Sequence, residues 1–290
     1  MKKTPFLFNY LSRIFSPRRI MAGKNQFNIW QLLFSLFLLV ALLMVPITLQ
    51  IGKMTTFNLS LIMPEPYNLS LKDSLNSVSN GTFKNGRLHA DDVTTKTEQT
   101  LAAVDTTNQL PIVQGDDGPT LKGVKTAVVF QEKAVTIISN DLYRFSLPYT
   151  KDTSTADFRT AASFEKWVNQ QWFKSNQSVI VPTLLLMAFI ALLLTQLLTW
   201  LAVSFFISLV KRSKLSDIRS GKEVFAISTM LMGAPAIVTT LISLFTFNIM
   251  LFMTVLSFGL IAMVLAVFSI THFRIPKNKT RGRSVWLPFH

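Results

Sequence analysis

The 290-residue chain has no cysteine, only three histidines, and 15 acidic residues against 29 basic ones. Each shortage excludes something. Without cysteine there is no disulfide, no thiolate metal site and no thiol nucleophile. His89, His272 and His290 lie in three separate regions, so their spacing assembles neither a metal cluster nor a charge-relay pair. No glycine-rich phosphate loop or dinucleotide fingerprint occurs, so nothing here would drive chemistry with a nucleotide. The adjacent acids Asp91-Asp92 and Asp116-Asp117 lack the alternating ligand spacing of a calcium loop and read as solvated turns. This inventory predicts a protein that is not an enzyme and binds no cofactor.

Charge is missing from three long stretches, residues 29–51, 179–210 and 224–271. A bilayer core takes about 20 apolar residues per helix. The first stretch therefore spans once, and the second, too short for two spans and a turn, also spans once. The third is long enough for two, with Thr246-Phe247-Asn248 as a tight hairpin. The predicted spans are residues 29–51, 179–210, 224–245 and 249–271. The first is too long for the apolar region of a signal peptide, and Gln50-Ile51-Gly52-Lys53 is a poor cleavage site, so it is read as a retained helix.

The basic residues are concentrated beside these stretches. Residues 1–28 carry six and no acid, the loop 211–223 five against two acids, and the tail 272–290 five and no acid. Together they account for the whole net charge of +14, while residues 52–178 are neutral. The positive-inside rule puts both termini and the loop in the cytoplasm and residues 52–178 outside a plasma membrane. Charge spread over three membrane flanks suits the surface of a lipid bilayer and argues against a nucleic-acid partner.

Before the first span, Thr4-Pro5 could open a helix in which Phe6, Leu7, Tyr10, Leu11, Ile14 and Phe15 recur at three- and four-residue spacings, ending at Ser16-Pro17. It is predicted to lie in the cytoplasmic interface. In the outer segment, Phe57-Asn58-Leu59-Ser60-Leu61 alternates like a strand, and Asn80-Gly81 and Asn85-Gly86 mark turns. Residues 125–130 and 133–138 read as a hairpin, 142–147 as a further strand, and 154–173 as a helix with Ser154 and Asp157 at capping spacing. Trp167, Trp172 and Phe173 read as an aromatic belt. The predicted fold class is an α-helical integral membrane protein with four transmembrane helices, plus a small α+β extracytoplasmic domain between helices 1 and 2.

Within the spans, Gln196 is the most polar residue and reads as interhelical glue, with substrate contact as the alternative. Gly233-Ala234-Pro235 interrupts the third helix, since Pro235 has no backbone N–H, and reads as a packing kink, with a gating hinge as the alternative.

Several phrases carry a resemblance: Ser16-Pro17-Arg18-Arg19, Val104-Asp105-Thr106-Thr107 leading into Val128-Val129-Phe130, residues 226–239 around Pro235, and the closing Phe273-Arg274-Ile275-Pro276-Lys277. In these and in its layout the chain resembles the maltodextrin (maltodextrose) utilisation membrane proteins of Gram-positive bacteria, a four-span family without an established biochemical activity. The resemblance supplies no catalytic or ligand residues. It implies a non-enzymatic accessory of maltodextrin uptake, with a maltodextrin ABC importer or its binding protein as partner. A membrane sensor or envelope-stress component is the first alternative and a permease subunit the second.

Overall fold

The computed structural model describes residues 5–97, 99–116, 118–140, 142–211 and 216–274, apart from the Glu65 side chain. Thr4, Asp117, the basic residues at 212 and 214, and the tail from 275, His290 included, lie outside the described residues. The chain divides into two compact units, residues 1–53 with 182–290, and residues 54–181.

The first unit is helical: α1 (Phe6–Ile14), α2 (Pro17–Gly23) and α3 (Ile29–Gly52). It takes up the chain again within a later helix that ends at Lys211, described below, and closes with two more, Gly221–Phe245 and Ile249–Thr271. The starts of α3 and of the last two helices carry side-chain caps. Asn28 and Gln31 form a reciprocal capping box at α3, and Asn248 accepts from the Met250 and Leu251 amides. Among the described residues, four helices are long and apolar enough to cross a membrane.

The second unit starts with two short 3₁₀ turns and α4 (Lys72–Asn80). The strands β1 (Thr82–Lys84), β2 (Arg87–His89), β3 (Val93–Thr97), β4 (Thr100–Asp105), β5 (Ile112–Gly115), β6 (Gly118–Leu121), β7 (Thr126–Gln131), β8 (Ala134–Ser139) and β9 (Tyr143–Pro148) follow. A 3₁₀ turn (Thr155–Phe158) leads into α5 (Ala161–Lys211), and α6 (Gly221–Phe245) and α7 (Ile249–Thr271) complete the order.

This corrects the predicted fold class. Between α3 and α5 lies a large β-sheet unit, not a small α+β appendage: a five-stranded mixed sheet ordered β3-β4-β7-β8-β9, flanked by the hairpins β1-β2 and β5-β6. β4 and β7 pair in parallel and the other neighbours antiparallel. The physical reason is burial on both faces. Ala102, Val104, Val128 and Phe130 face a core shared with Phe158, Phe164 and Trp167, while Leu101, Ala103, Ala127 and Val129 face Leu121 and Val124. Strands covered on both sides read as continuous apolar runs, not as alternation.

Turn chemistry sets the details. Asn85 and Gly86 both take positive φ, 51° and 73°, as a two-residue hairpin turn requires. The Asp105 carboxylate accepts from the Gln109 and Leu110 amides and closes the turn after β4. Asp92 accepts from the Thr106 amide at 2.8 Å and from the Thr106 and Thr107 hydroxyls. Burial works against ionisation of Asp92, but these bonds outweigh it and hold the carboxyl below its ordinary range. A depressed folded-state value contributes stability above the unfolded carboxylate pKa, about 4, which is lost as pH falls through the folded value. Asp92→Asn should therefore lower the unfolding midpoint of the full chain at pH 7. In paired thermal scans the gap to the parent should close as the pH drops below about 4; a constant gap would sink this account.

Three local expectations change. Residues 57–61 form no strand: Leu59–Leu61 is a 3₁₀ turn, because the Asn58 side chain accepts from the Ser60 amide and Asn169 takes the Leu59 amide. The helix expected at 154–173 is split. Ser154 and Asp157 cap the 3₁₀ turn, and α5 begins at Ala161 and runs through Phe173 without a stop. Of the three aromatics read as a belt, Trp167 and Phe173 are buried in the β-sheet unit and Trp172 packs on Phe57.

Candidate functional site

In the helical unit α6 is the axis, with residues from Ala226 to Ala236 almost wholly buried. Gly233 is the contact point for the N-terminal helices. A Cβ there would lie 2.7 Å from Ile14 Cγ2 and 3.0 Å from Tyr10 Oη, and Tyr10 donates to the Thr229 carbonyl at 3.0 Å. α1 is amphipathic: its Tyr10 and Ile14 side chains are fully buried against α6, while Leu7, Phe8, Leu11 and Phe15 are exposed. Beneath α2, the Lys24 ammonium meets Glu223 at 3.1 Å and donates to the Asp217 carbonyl. Glu223 also accepts from the Arg219 amide at 2.7 Å.

Gln196 and Pro235 come together on the other side of α6, in a cavity of about 240 Å³ that also has Thr195, Thr199, Met232 and Ser257 in its walls. Gln196 is 2% exposed and has no hydrogen-bond partner among the described residues. Its neighbour Trp200 does act as interhelical glue, donating from Nε1 to the Thr229 hydroxyl at 2.9 Å. α6 continues as one helix through Pro235, and Gly259 of α7 leaves room for the proline ring. Thus Gln196 and Pro235 share a site, and Gly233 does not belong to it.

The β-sheet unit holds a wider groove, of about 400 Å³. One wall is the start of α5, where Trp167, Gln170, Gln171, Lys174 and Gln177 recur on one face at helical spacing. The other is the segment from Thr150 to Asp157. Each wall is held in place. Gln171 Nε2 donates to the Pro148 carbonyl at 3.2 Å, and the Thr150 amide donates to the Thr153 hydroxyl at 3.0 Å. Asp157 accepts from the Ser154 amide, and Trp167 is packed between Tyr149 and Phe158. Among the described residues Asp152, Gln170, Lys174 and Gln177 have no hydrogen-bond or ion-pair partner, so their polar ends are available to a ligand. Sequence reasoning passed over these residues, although the stripe of amides and an ammonium on the face of Trp167 was there to be seen.

A third, more polar hollow of about 670 Å³ includes Asp73, Asn76, His89 and Asp91. Among the described residues no three histidine, aspartate or glutamate side chains are grouped to hold a metal.

The phrases that carried the resemblance hold structural positions. Pro17 opens α2, Asp105 and the two threonines tie the turn after β4, Val128 to Phe130 are the middle of the sheet, and residues 226–239 lie in the buried axis. Maltodextrose utilization protein MalA of Streptococcus pneumoniae (strain ATCC BAA-255 / R6) is 24% identical over 273 residues, covering 94% of this chain and 98% of that protein. YvdJ of Bacillus subtilis (strain 168), whose name assigns it provisionally to maltodextrin utilization, is 22% identical over 271 residues, covering 92% and 90%. No solved structure matches the chain. Residues 11–271 match the family described as "Protein of unknown function (DUF1189)", and the chain belongs to that family.

Proposed function

We propose that this protein is a non-enzymatic, multi-pass accessory of maltodextrin utilisation in the plasma membrane. The observation that carries the reading is the alignment, over nearly the full length of both partners, with two proteins named for maltodextrin utilization. Four helices of spanning length and the basic flanks support a membrane location with both termini and the loop 211–223 in the cytoplasm. The β-sheet unit then faces outward, where an importer or its binding protein meets the sugar. No Asp, Glu, Lys, Arg or His lies in the three uncharged stretches, which argues against an ion-coupled carrier, since such proteins keep these groups within the bilayer. Against a permease subunit stand the small number of spans and the shortness of the loop 211–223 for docking an ATPase.

Two measurements test the reading. In intact cells an impermeant maleimide should label Asn76→Cys, and should reach Lys222→Cys only after permeabilisation; the reverse pattern overturns the orientation. Deleting the gene should slow growth on maltodextrins and leave growth on glucose intact. An unchanged deletion strain on every chain length would overturn the accessory role in favour of the sensor alternative.

A further inference from the structure

We propose that the groove between the start of α5 and the segment from Thr150 to Asp157 binds a short neutral oligosaccharide. That the sugar is a maltodextrin rests on the function proposed above; the class of ligand rests on the chemistry of the groove.

Its volume, about 400 Å³, falls within the range of roughly 300–1,000 Å³ usual for small-molecule sites. Its polar groups are of the kind that vicinal hydroxyls match. Gln170 and Gln177 each offer a carbonyl oxygen and an NH₂ on one plane, Asp152 offers two acceptor oxygens, and Lys174 offers three donors. A sugar hydroxyl both donates and accepts, so it satisfies either kind of group.

The charges select against other ligands. Two carboxylates, Asp152 and Asp157, share the groove with one ammonium, Lys174. A phosphate would meet more negative charge than positive. A divalent cation is held mainly by converging carboxylates, and among the described residues no three histidine, aspartate or glutamate side chains are grouped to hold one. Trp167 supplies what a purely polar hollow lacks, a flat apolar edge against which the C–H face of a sugar ring can rest. It is 7% exposed and held by Tyr149 and Phe158, so its position is fixed before binding. The polar hollow around His89 and Asp91 is larger but has no Trp, Tyr or Phe in its wall, and it serves as the internal control.

The test uses the full chain in nanodiscs, with maltotriose as probe and calorimetry as readout. Saturable binding is expected. Gln170→Ala and Lys174→Ala should each weaken it at least about tenfold, the effect of losing one good hydrogen bond to a charged or paired group. Both residues are exposed positions of a helix, where alanine is well tolerated, and an unchanged unfolding midpoint verifies the fold. Asn76→Ala, in the control hollow, should bind as the parent does. Absence of saturable binding overturns the proposal, as does full affinity in the Gln170→Ala, Lys174→Ala double variant.

Growth separates this proposal from the one beneath it. A deletion defect on maltodextrins that the double variant repairs completely overturns the groove and leaves the accessory role standing. Groove-dependent maltotriose binding in a protein whose deletion has no growth effect supports the groove and overturns the accessory role.

Discussion

Glu223→Ala should unfold the helical unit more readily than any exposed substitution, by about 3–5 kcal/mol, because it strands Lys24 as a buried charge without its counterion. The side chains of Lys24 and Glu223 are only 5% and 8% exposed. Lys24 follows the last turn of α2 and Glu223 stands in the first turn of α6, so each charge also faces the favourable end of a helix dipole. The loss extends beyond the pair. Glu223 holds the Arg219 amide and Lys24 holds the Asp217 carbonyl, and the Asp217 amide donates to the Phe273 carbonyl beyond α7. One carboxylate therefore ties together α2, the approach to α6 and the end of α7. Thermal unfolding in detergent should show a midpoint lowered on the order of 10 °C. Adding Lys24→Met removes the stranded charge and should recover most of the loss. A double variant as unstable as Glu223→Ala would show that the pair is not the source.

Gly233→Val should unseat α1. Side-chain atoms of Ile14 and Tyr10 already stand where the new carbons would go, and a Cβ contact of 2.7 Å with Ile14 Cγ2 cannot be accommodated without movement. Overpacking of this kind costs about 1–3 kcal/mol and displaces backbone. The absence of native cysteine provides the reporter. Ile20→Cys on α2 is fully buried in the parent and should be unreactive to maleimide in detergent. In the Gly233→Val background it should react. Ile14→Ala, which removes the clashing methyl, should restore protection. Continued protection in Gly233→Val alone would overturn the close-packing account of this glycine.

Gly233 shows what could be read from residues alone and what could not. Read as part of Gly233-Ala234-Pro235, it shared a motif with Pro235. Two positions apart on a helix means about 200° of rotation, so the two residues must serve different neighbours. That much follows from spacing; that the neighbour is α1 does not, because Ile14 is more than two hundred residues away. The long apolar helices were legible in the uncharged runs, and the β7–β8 hairpin in its Val, Ile and Thr content. α4 was not, since its Ser and Asn residues look like loop and only Leu75 and Val78 reach the core as large apolar side chains. The parallel partner of β4 was not legible either, as nothing local distinguishes it from an antiparallel one. For the groove, the α5 stripe was there in the spacing. Its opposite wall depends on Gln171 reaching the end of β9, a tertiary contact.

The parallel pairing of β4 with β7 also sets a timetable for folding. Each residue of β4 pairs with one 26 positions further along. During synthesis at about 5–20 residues per second, Leu101 to Val104 must therefore wait for seconds before their parallel partner strand exists. Contacts so far apart in sequence are slow to form, because the intervening loop must close before any pairing rewards it. β8 and β9 come later still, and after them Phe158, Phe164 and Trp167, which cover one face of β4. For that interval β4 has only β3 beside it, and its other edge, along the apolar Leu101 to Val104, is open to pairing with another chain. The unit's vulnerable moment thus precedes its completion, and a holding chaperone would raise its yield more than any substitution that stabilises the finished sheet.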